Sequence, residues 1–115
     1  MDSILNTIKK MLGIDPSYHQ FDTDVIVLIN SALSNLAQIG IVEDNGFKIS
    51  SEDETWDEIL GEHLNFENLK NYVYLKTRVI FNPPSTSFAL QAIQDEIKEL
   101  EWRIYMEGGD DDESG

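Results

Sequence analysis

The 115-residue sequence contains no cysteine, so disulfides and thiolate metal sites are excluded, an absence compatible with a reducing cytoplasm. Histidine is nearly absent too: His19 and His63 stand far apart, and neither falls in a metal spacing such as HExxH. Bases are scarce, 8 Lys and Arg against 22 Asp and Glu, for a formal net charge of −14. Gripping a phosphate backbone requires clustered Lys and Arg, and an anionic membrane surface would repel such a chain. No apolar run approaches the roughly 18 residues of a membrane span. The opening MDSILNTIKKMLGI carries an acid at once and no long apolar stretch, so no secretory leader is expected. A soluble protein is the expectation.

What is present is helical patterning, in a length that fits one domain with a real core. In SILNTIKKML, residues 3–12, Ile4, Leu5, Ile8, Met11 and Leu12 recur at helical spacing, and Gly13 comes next as a stop. IDPSYHQ reads as a linker. FDTDVIVLINSALSNLAQIGI then offers Asp22 or Thr23 as a cap, with Val25, Ile29, Ala32, Leu33, Leu36 and Ile39 as one broad apolar face ended by Gly40. Val25–Ile29 alone would pass for a strand, but the length of the pattern favours helix.

Residues 41–67 are less regular. Asn45-Gly46 signals a turn that could close a short hairpin. Ser51 and Glu54 have capping-box spacing ahead of a short apolar face of Trp56, Ile59 and Leu60. Glu43, Asp44, Glu52, Asp53, Glu54, Asp57, Glu58, Glu62 and Glu67 stand there against Lys48 alone. A charge run of that kind is ordinarily a solvated face. The interleaved apolar residues favour an ordered short helix and loop.

ENLKNYVYLKTRVIF predicts a helix with Leu69, Tyr72, Val73, Lys76, Val79 and Ile80 on or near one face, carrying Lys70, Lys76 and Arg78. This cationic stretch can face the acidic segment beside it, within one chain or between chains. SFALQAIQDEIKELEWRIYMEG predicts the longest helix, with a packing seam of Ala89, Ile93, Ile97, Leu100 and Ile104. Trp102 and Tyr105 fall off that seam, to be exposed or to meet a partner. Between these helices, FNPPSTS makes a corner. Pro83 disfavours helix at Asn82, Pro84 does the same to Pro83, and Ser85, Thr86 or Ser87 can cap the next helix. The expected fold is predominantly all-α, four to five helices in a small bundle with room for one short hairpin near residues 41–50. Residues 1–106 form the domain, and 107–115 an acidic tail expected to be disordered when alone.

Nothing in this pattern supplies catalysis. Glu62-His63 with Asp57 or Glu58 would hold a divalent ion only adventitiously, and EDETWDE lacks the ligand order and central glycine of a calcium loop. There is no phosphate-cradling glycine loop and no GxSxG. Ser85, Thr86 and Ser87 have no histidine nearby in sequence, so capping outweighs nucleophilic chemistry. Tyr72 and Tyr74 among Lys70, Lys76 and Arg78 suit core or subunit contact better than base stacking, given the net charge. No enzyme, no metal and no cofactor is expected, and the residues point to an acidic helical module that works by contact.

At YVYLKTRVIFNPPSTSFALQAIQDEIKELEWRI, residues 72–104, the sequence resembles the small head–tail connector (head-completion or adaptor) proteins of tailed bacteriophages of Gram-positive hosts. IKKMLGID, FDTDVIVLINSALSNLAQIG and GFKIS…TWDEIL are similar to that family's pattern in order and spacing, so the resemblance spans about residues 4–105. The acidic tail after Met106 lies outside it. The resemblance implies a structural virion protein at the head–tail interface, made in the host cytoplasm, that forms a ring below the portal and extends the DNA channel. Implied partners are the portal protein and tail-side completion or stopper proteins, with DNA passing unrecognised and no membrane involved. An acidic lumen would repel DNA phosphates, and a ring needs one surface to meet a different surface of its neighbour. Residues expected at interfaces or in assembly are Lys70, Lys76, Arg78, Asn82, Pro83, Pro84, Glu52, Asp53, Glu54 and Trp102. The alternative is an acidic DNA-mimic inhibitor of a host nucleic-acid-binding protein, a reading drawn from net charge.

Overall fold

The first helix begins where a short side-chain oxygen can serve its free amides. In the computed structural model, which describes residues 2–38, 47–59 and 65–114 (side chains through 106), Ser3 Oγ accepts from the Asn6 N–H at 3.2 Å. Helix α1, Ile4–Met11, buries Ile4, Leu5 and Ile8. Gly13 terminates it at φ +84°, a left-handed turn that a residue with a Cβ adopts only under strain. Helix α2 spans Asp22–Gln38, α3 spans Phe66–Phe81 and α4 spans Ser87–Ser114. The all-α expectation holds: the described residues contain these four helices, a three-residue 3-10 turn at Trp56–Glu58 and one isolated bridge between Ser3 and Thr55.

The core forms where the apolar faces meet. Val25, Ile29, Ala32, Leu33 and Leu36 of α2 pack against Leu69, Tyr72 and Val73 of α3, with α1 lying over both. Helix α4 packs chiefly on α3, through Ile97, Leu100 and Ile104. Phe47–Ile59 crosses the bundle as a pinned loop. Asn30 donates to the Ile49 carbonyl at 3.0 Å and accepts its N–H at 2.8 Å, so its amide acts like a strand partner. Ile4 N–H donates to the Glu54 carbonyl at 3.0 Å. Trp56, fully buried, donates its indole N–H to Thr7 Oγ1 at 3.1 Å, which satisfies the ring's one polar atom.

Three local expectations change. Neither Asp22 nor Thr23 caps α2: the Phe21 carbonyl accepts the Val25 N–H at 2.9 Å, so Phe21 holds the cap position and Asp22 is already helical. Glu54 does not close a box with Ser51 at a helix start. Its carboxylate turns back onto the Ser50 and Ser51 amides at 3.0 and 3.1 Å, and the turn begins at Thr55, whose N–H donates to Glu58 at 2.7 Å. On α3 the buried face takes in Thr77, while Ile80 is 65% exposed because that end of the helix runs beyond the core. Helix α4 has bounds that reach Ser114. The hairpin considered near 41–50, together with Ile39, Gly40 and Leu60, lies largely outside the described residues, and Phe47–Ser50 carries no strand.

Lys9 is the charged exception to apolar burial among the described residues, beside the buried Thr77. It is 0% exposed, and its ammonium is satisfied by the Pro16 carbonyl at 3.0 Å, the Tyr18 carbonyl at 2.7 Å and Asp22 at 2.6 Å. Two carbonyls accept its hydrogen bonds and the Asp22 carboxylate supplies the counter-charge, the condition under which a buried ammonium is tolerated. The contact ties α1 to the linker and to the first turn of α2. Burial works against the Asp22 charge, but hydrogen bonds from Lys9 and His19, with their charges, outweigh it and hold the carboxyl below its ordinary value. Ionised Asp22 therefore stabilises the fold above the ordinary carboxylate range, and that contribution disappears as pH falls through the lower folded value.

Lys9→Ala should cost about 3 kcal/mol in urea unfolding, because it strands a shielded carboxylate and two carbonyls. The unfolding midpoints of wild type and Asp22→Asn, separated at neutral pH, should converge as pH drops below about 4.

Candidate functional site: the α3–α4 corner and the outer helix

The corner is built as its residue types dictate. Asn82 N–H donates to the Arg78 carbonyl at 2.9 Å, closing α3. Asn82 itself leaves the helical region at φ −146°, ψ 69°, a departure that the proline after it favours over helix. Pro83 is exposed and Pro84 half-buried. Of the three hydroxyl residues it is Thr86 that caps: its Oγ1 accepts the Ala89 N–H at 3.1 Å and its carbonyl the Leu90 N–H at 3.0 Å. The upstream side is anchored by Phe81, which meets Phe21 edge-on at 5.5 Å between ring centroids, while Phe21 meets Tyr18 at 5.7 Å. On the downstream side Phe88 is 86% exposed, with none of the described residues covering it.

Past the corner, α4 divides into a packed face and a bare one. Ile97, Leu100 and Ile104 are buried against α3. Tyr72 OH donates to Glu101 at 2.9 Å across the seam. Burial, and then the hydrogen bond and charge of Glu101, push the Tyr72 phenol well above its ordinary value, against an opposing hydrogen bond from Asn35. On the outer side Trp102 is 63% exposed, and Tyr105 and Met106 are exposed beside it at helical i+3 and i+4 spacing. The off-seam expectation for Trp102 and Tyr105 is thus met as exposure. Phe88 carried no signal in the sequence, since it sits one residue before the seam and only the absence of a facing element leaves it bare.

The charged residues separate into paired and unpaired. Lys70 pairs with Glu67 of its own helix at 3.0 Å and lies over the Phe66 ring at 5.3 Å. Lys76 and Arg78, half-buried on α3, form no ion pair among the described residues, and neither does Lys98 on α4. The anticipated meeting of the Lys70–Arg78 stretch with the acidic segment is therefore limited, within the described residues of one chain, to Lys70–Glu67. Glu52 and Asp53 are exposed at the tip of the pinned loop. Asp53 N–H donates to Ser51 Oγ at 3.0 Å. Burial raises the Glu54 carboxyl, but the Ser50 and Ser51 hydrogen bonds together outweigh it and hold the group below its ordinary value. Glu54 thus fastens the loop rather than facing outward.

Reactive groups do not converge. His19 Nδ1 lies 2.8 Å from Asp22 Oδ2, in the same contact as Lys9. His63 lies outside the described residues. No group of His, Asp and Glu among the described residues could hold a metal ion, and no described helix is long and apolar enough to cross a membrane. Sequence reasoning missed Lys9, Asn30 and Thr77. Lys9 borders the Leu5 and Leu12 edge of α1, but its partners come from a linker with no periodicity to read.

The fold is thus all-α among the described residues, with aromatic side chains uncovered on its outer helix. The chain belongs to the phage connector protein family, whose model matches residues 4–111. No curated protein and no solved structure matches the chain. It is accordingly a structural head–tail connector of a family that is non-enzymatic in kind, a virion component acting with other phage head and tail proteins. The matched span runs through the corner and beyond Met106 into the last turns of α4.

Tyr72→Phe should lower stability at neutral pH by about 1 kcal/mol, the worth of one partly buried hydrogen bond. Because the folded phenol ionises above the unfolded one, this contribution is complete below about pH 10 and declines as pH rises further. The stability gap between the two proteins in guanidinium titrations should narrow there.

Proposed function

We propose that the chain is the subunit of a ring seated below the portal of a tailed phage of a Gram-positive host, extending the DNA channel and joining capsid to tail. The observation that carries this reading is the α3–α4 pair itself. It is a helix hairpin with a stiff proline corner, uncovered Ile80 and Phe88 near the bend, and Trp102, Tyr105 and Met106 along the outer helix. Apolar side chains clustered on an outer element favour a partner that covers them. Portal and tail-side completion or stopper proteins are the partners this role requires. Lys76 and Arg78, with the Glu67-paired Lys70 on the same helix, and Glu52 and Asp53 on the loop that Glu54 fastens, supply unlike surfaces of the kind a head-to-tail ring uses. Net charge of −14 suits a wall along which DNA slides unbound. Residues 107–115 add a further acidic segment to the packed domain of 1–106. The chain is made in the host cytoplasm and works in the virion. The alternative of a DNA mimic draws on net charge alone.

Electron microscopy of the protein mixed with its cognate portal should reveal a ring on the portal's tail-facing side. A soluble complex with a host DNA-binding enzyme, and none with portal, would favour the mimic. Pro83→Ala with Pro84→Ala should keep helix content by circular dichroism nearly intact while reducing ring assembly. Unaltered assembly would remove the corner from this role.

A further inference from the structure

An open groove of about 510 Å³ runs between α3 and α4 on the corner side of the Tyr72–Glu101 contact, lined by Lys76, Val79, Gln91, Gln94, Ile97 and Lys98 with Glu101 at its margin. Its charge is anomalous for this protein. With 22 acids in the sequence, Lys76 and Lys98 nonetheless form no ion pair among the described residues, although Arg103 and Lys70 take carboxylates on these same two helices. Glu101 keeps its charge while it accepts the Tyr72 hydroxyl, so the groove sets two ammonium groups against one carboxylate, and Gln91 is turned toward Asp95 at 2.9 Å. Two unpaired ammonium groups thus flank a floor that includes Val79 and the buried Ile97. Such a site favours a short carboxylate-bearing segment.

This chain carries a segment of matching form. The loop tip presents Glu52 and Asp53 to solvent, and its shape is set in advance. Glu54 accepts the Ser50 and Ser51 amides, Ser51 accepts the Asp53 N–H, and Asn30 clamps Ile49. Two exposed carboxylates on a preordered loop lose little conformational entropy on docking. The loop is fastened to α1 and α2, whereas the groove belongs to α3 and α4. Donor and acceptor surfaces are therefore different surfaces of one molecule, so their pairing joins copies head to tail.

We propose that the Lys76–Lys98 groove receives the Glu52–Asp53 loop tip of a second copy of this chain. This rests on the ring reading and specifies its subunit contact. Opposite charges at the contact speed encounter and fix its register, so it weakens with added salt.

The test is assembly of full-length chains, alone and on cognate portal, monitored by light scattering and electron microscopy. Lys76→Glu with Lys98→Glu, and separately Glu52→Lys with Asp53→Lys, should each weaken self-association about tenfold or more. Mixing the two variants should restore it, since each then offers the other an opposite charge. Carbodiimide treatment of mixed isotope-labelled and unlabelled wild-type chains should join Lys76 or Lys98 to Glu52 or Asp53 between chains. Rings that form normally from the reversed variants would overturn the groove contact and leave the ring reading standing. Cross-links from these lysines to Asp110–Asp112 of the same chain would overturn it in favour of the chain's own C-terminal segment. Wild-type chains that never self-associate, even on portal, would overturn the ring reading and this contact together.

Discussion

The attachment of α4 to a single principal neighbour governs what this molecule can do. Ile97, Leu100 and Ile104 bury one side of the helix against α3, and the Tyr72–Glu101 hydrogen bond fixes its register there. An apolar stripe of that width satisfies one contact and leaves the remaining circumference to solvent or to another molecule. The corner then sets direction. Prolines at 83 and 84 restrict the backbone, and the Thr86 cap starts α4 at a defined residue, so the hairpin is held by backbone restriction as much as by packing.

The opposite side of the bundle is held by polar ties. Lys9 collects two linker carbonyls and Asp22, Asn30 grips the backbone of Ile49, and Glu54 gathers loop amides. Each compensates a segment that lacks periodic apolar residues to bury, and each engages a buried or shielded polar group with partners from another part of the chain or from its own turn, which rigidifies the segment. The result is a loop with its acidic tip outward and its fastening inward.

These ties also explain the absence of converging reactive groups among the described residues. His19 is engaged with Asp22, Thr86 with a helix start and Tyr72 with Glu101. The protein's surface presents unlike patches: carboxylates on the loop, lysines in the groove, aromatics along the outer helix. Surfaces of opposite charge at separate places on one chain favour directional association over random aggregation.

Helix existence was legible from residues 4–38 and 66–106 because 3.6-residue periodicity, Gly13, the prolines and the hydroxyl caps are local signals acting within a few residues. The seam of Ile97, Leu100 and Ile104 and the outward position of Trp102 came from the same spacing. The family resemblance was legible for a related reason, since it rests on the order of those helices and the proline corner. Tertiary structure alone decided which cap or carboxylate was free to act: Asp22 serves Lys9 because a linker folds back over α1, and Glu54 serves loop amides because the N-terminus pairs with Thr55. It also decided that Ile80 and Phe88 stay uncovered and that Lys76 and Lys98 share a groove. Local periodicity specifies a helix and its apolar face, but which partner that face meets, and where the partner ends, depends on contacts between residues distant in the chain.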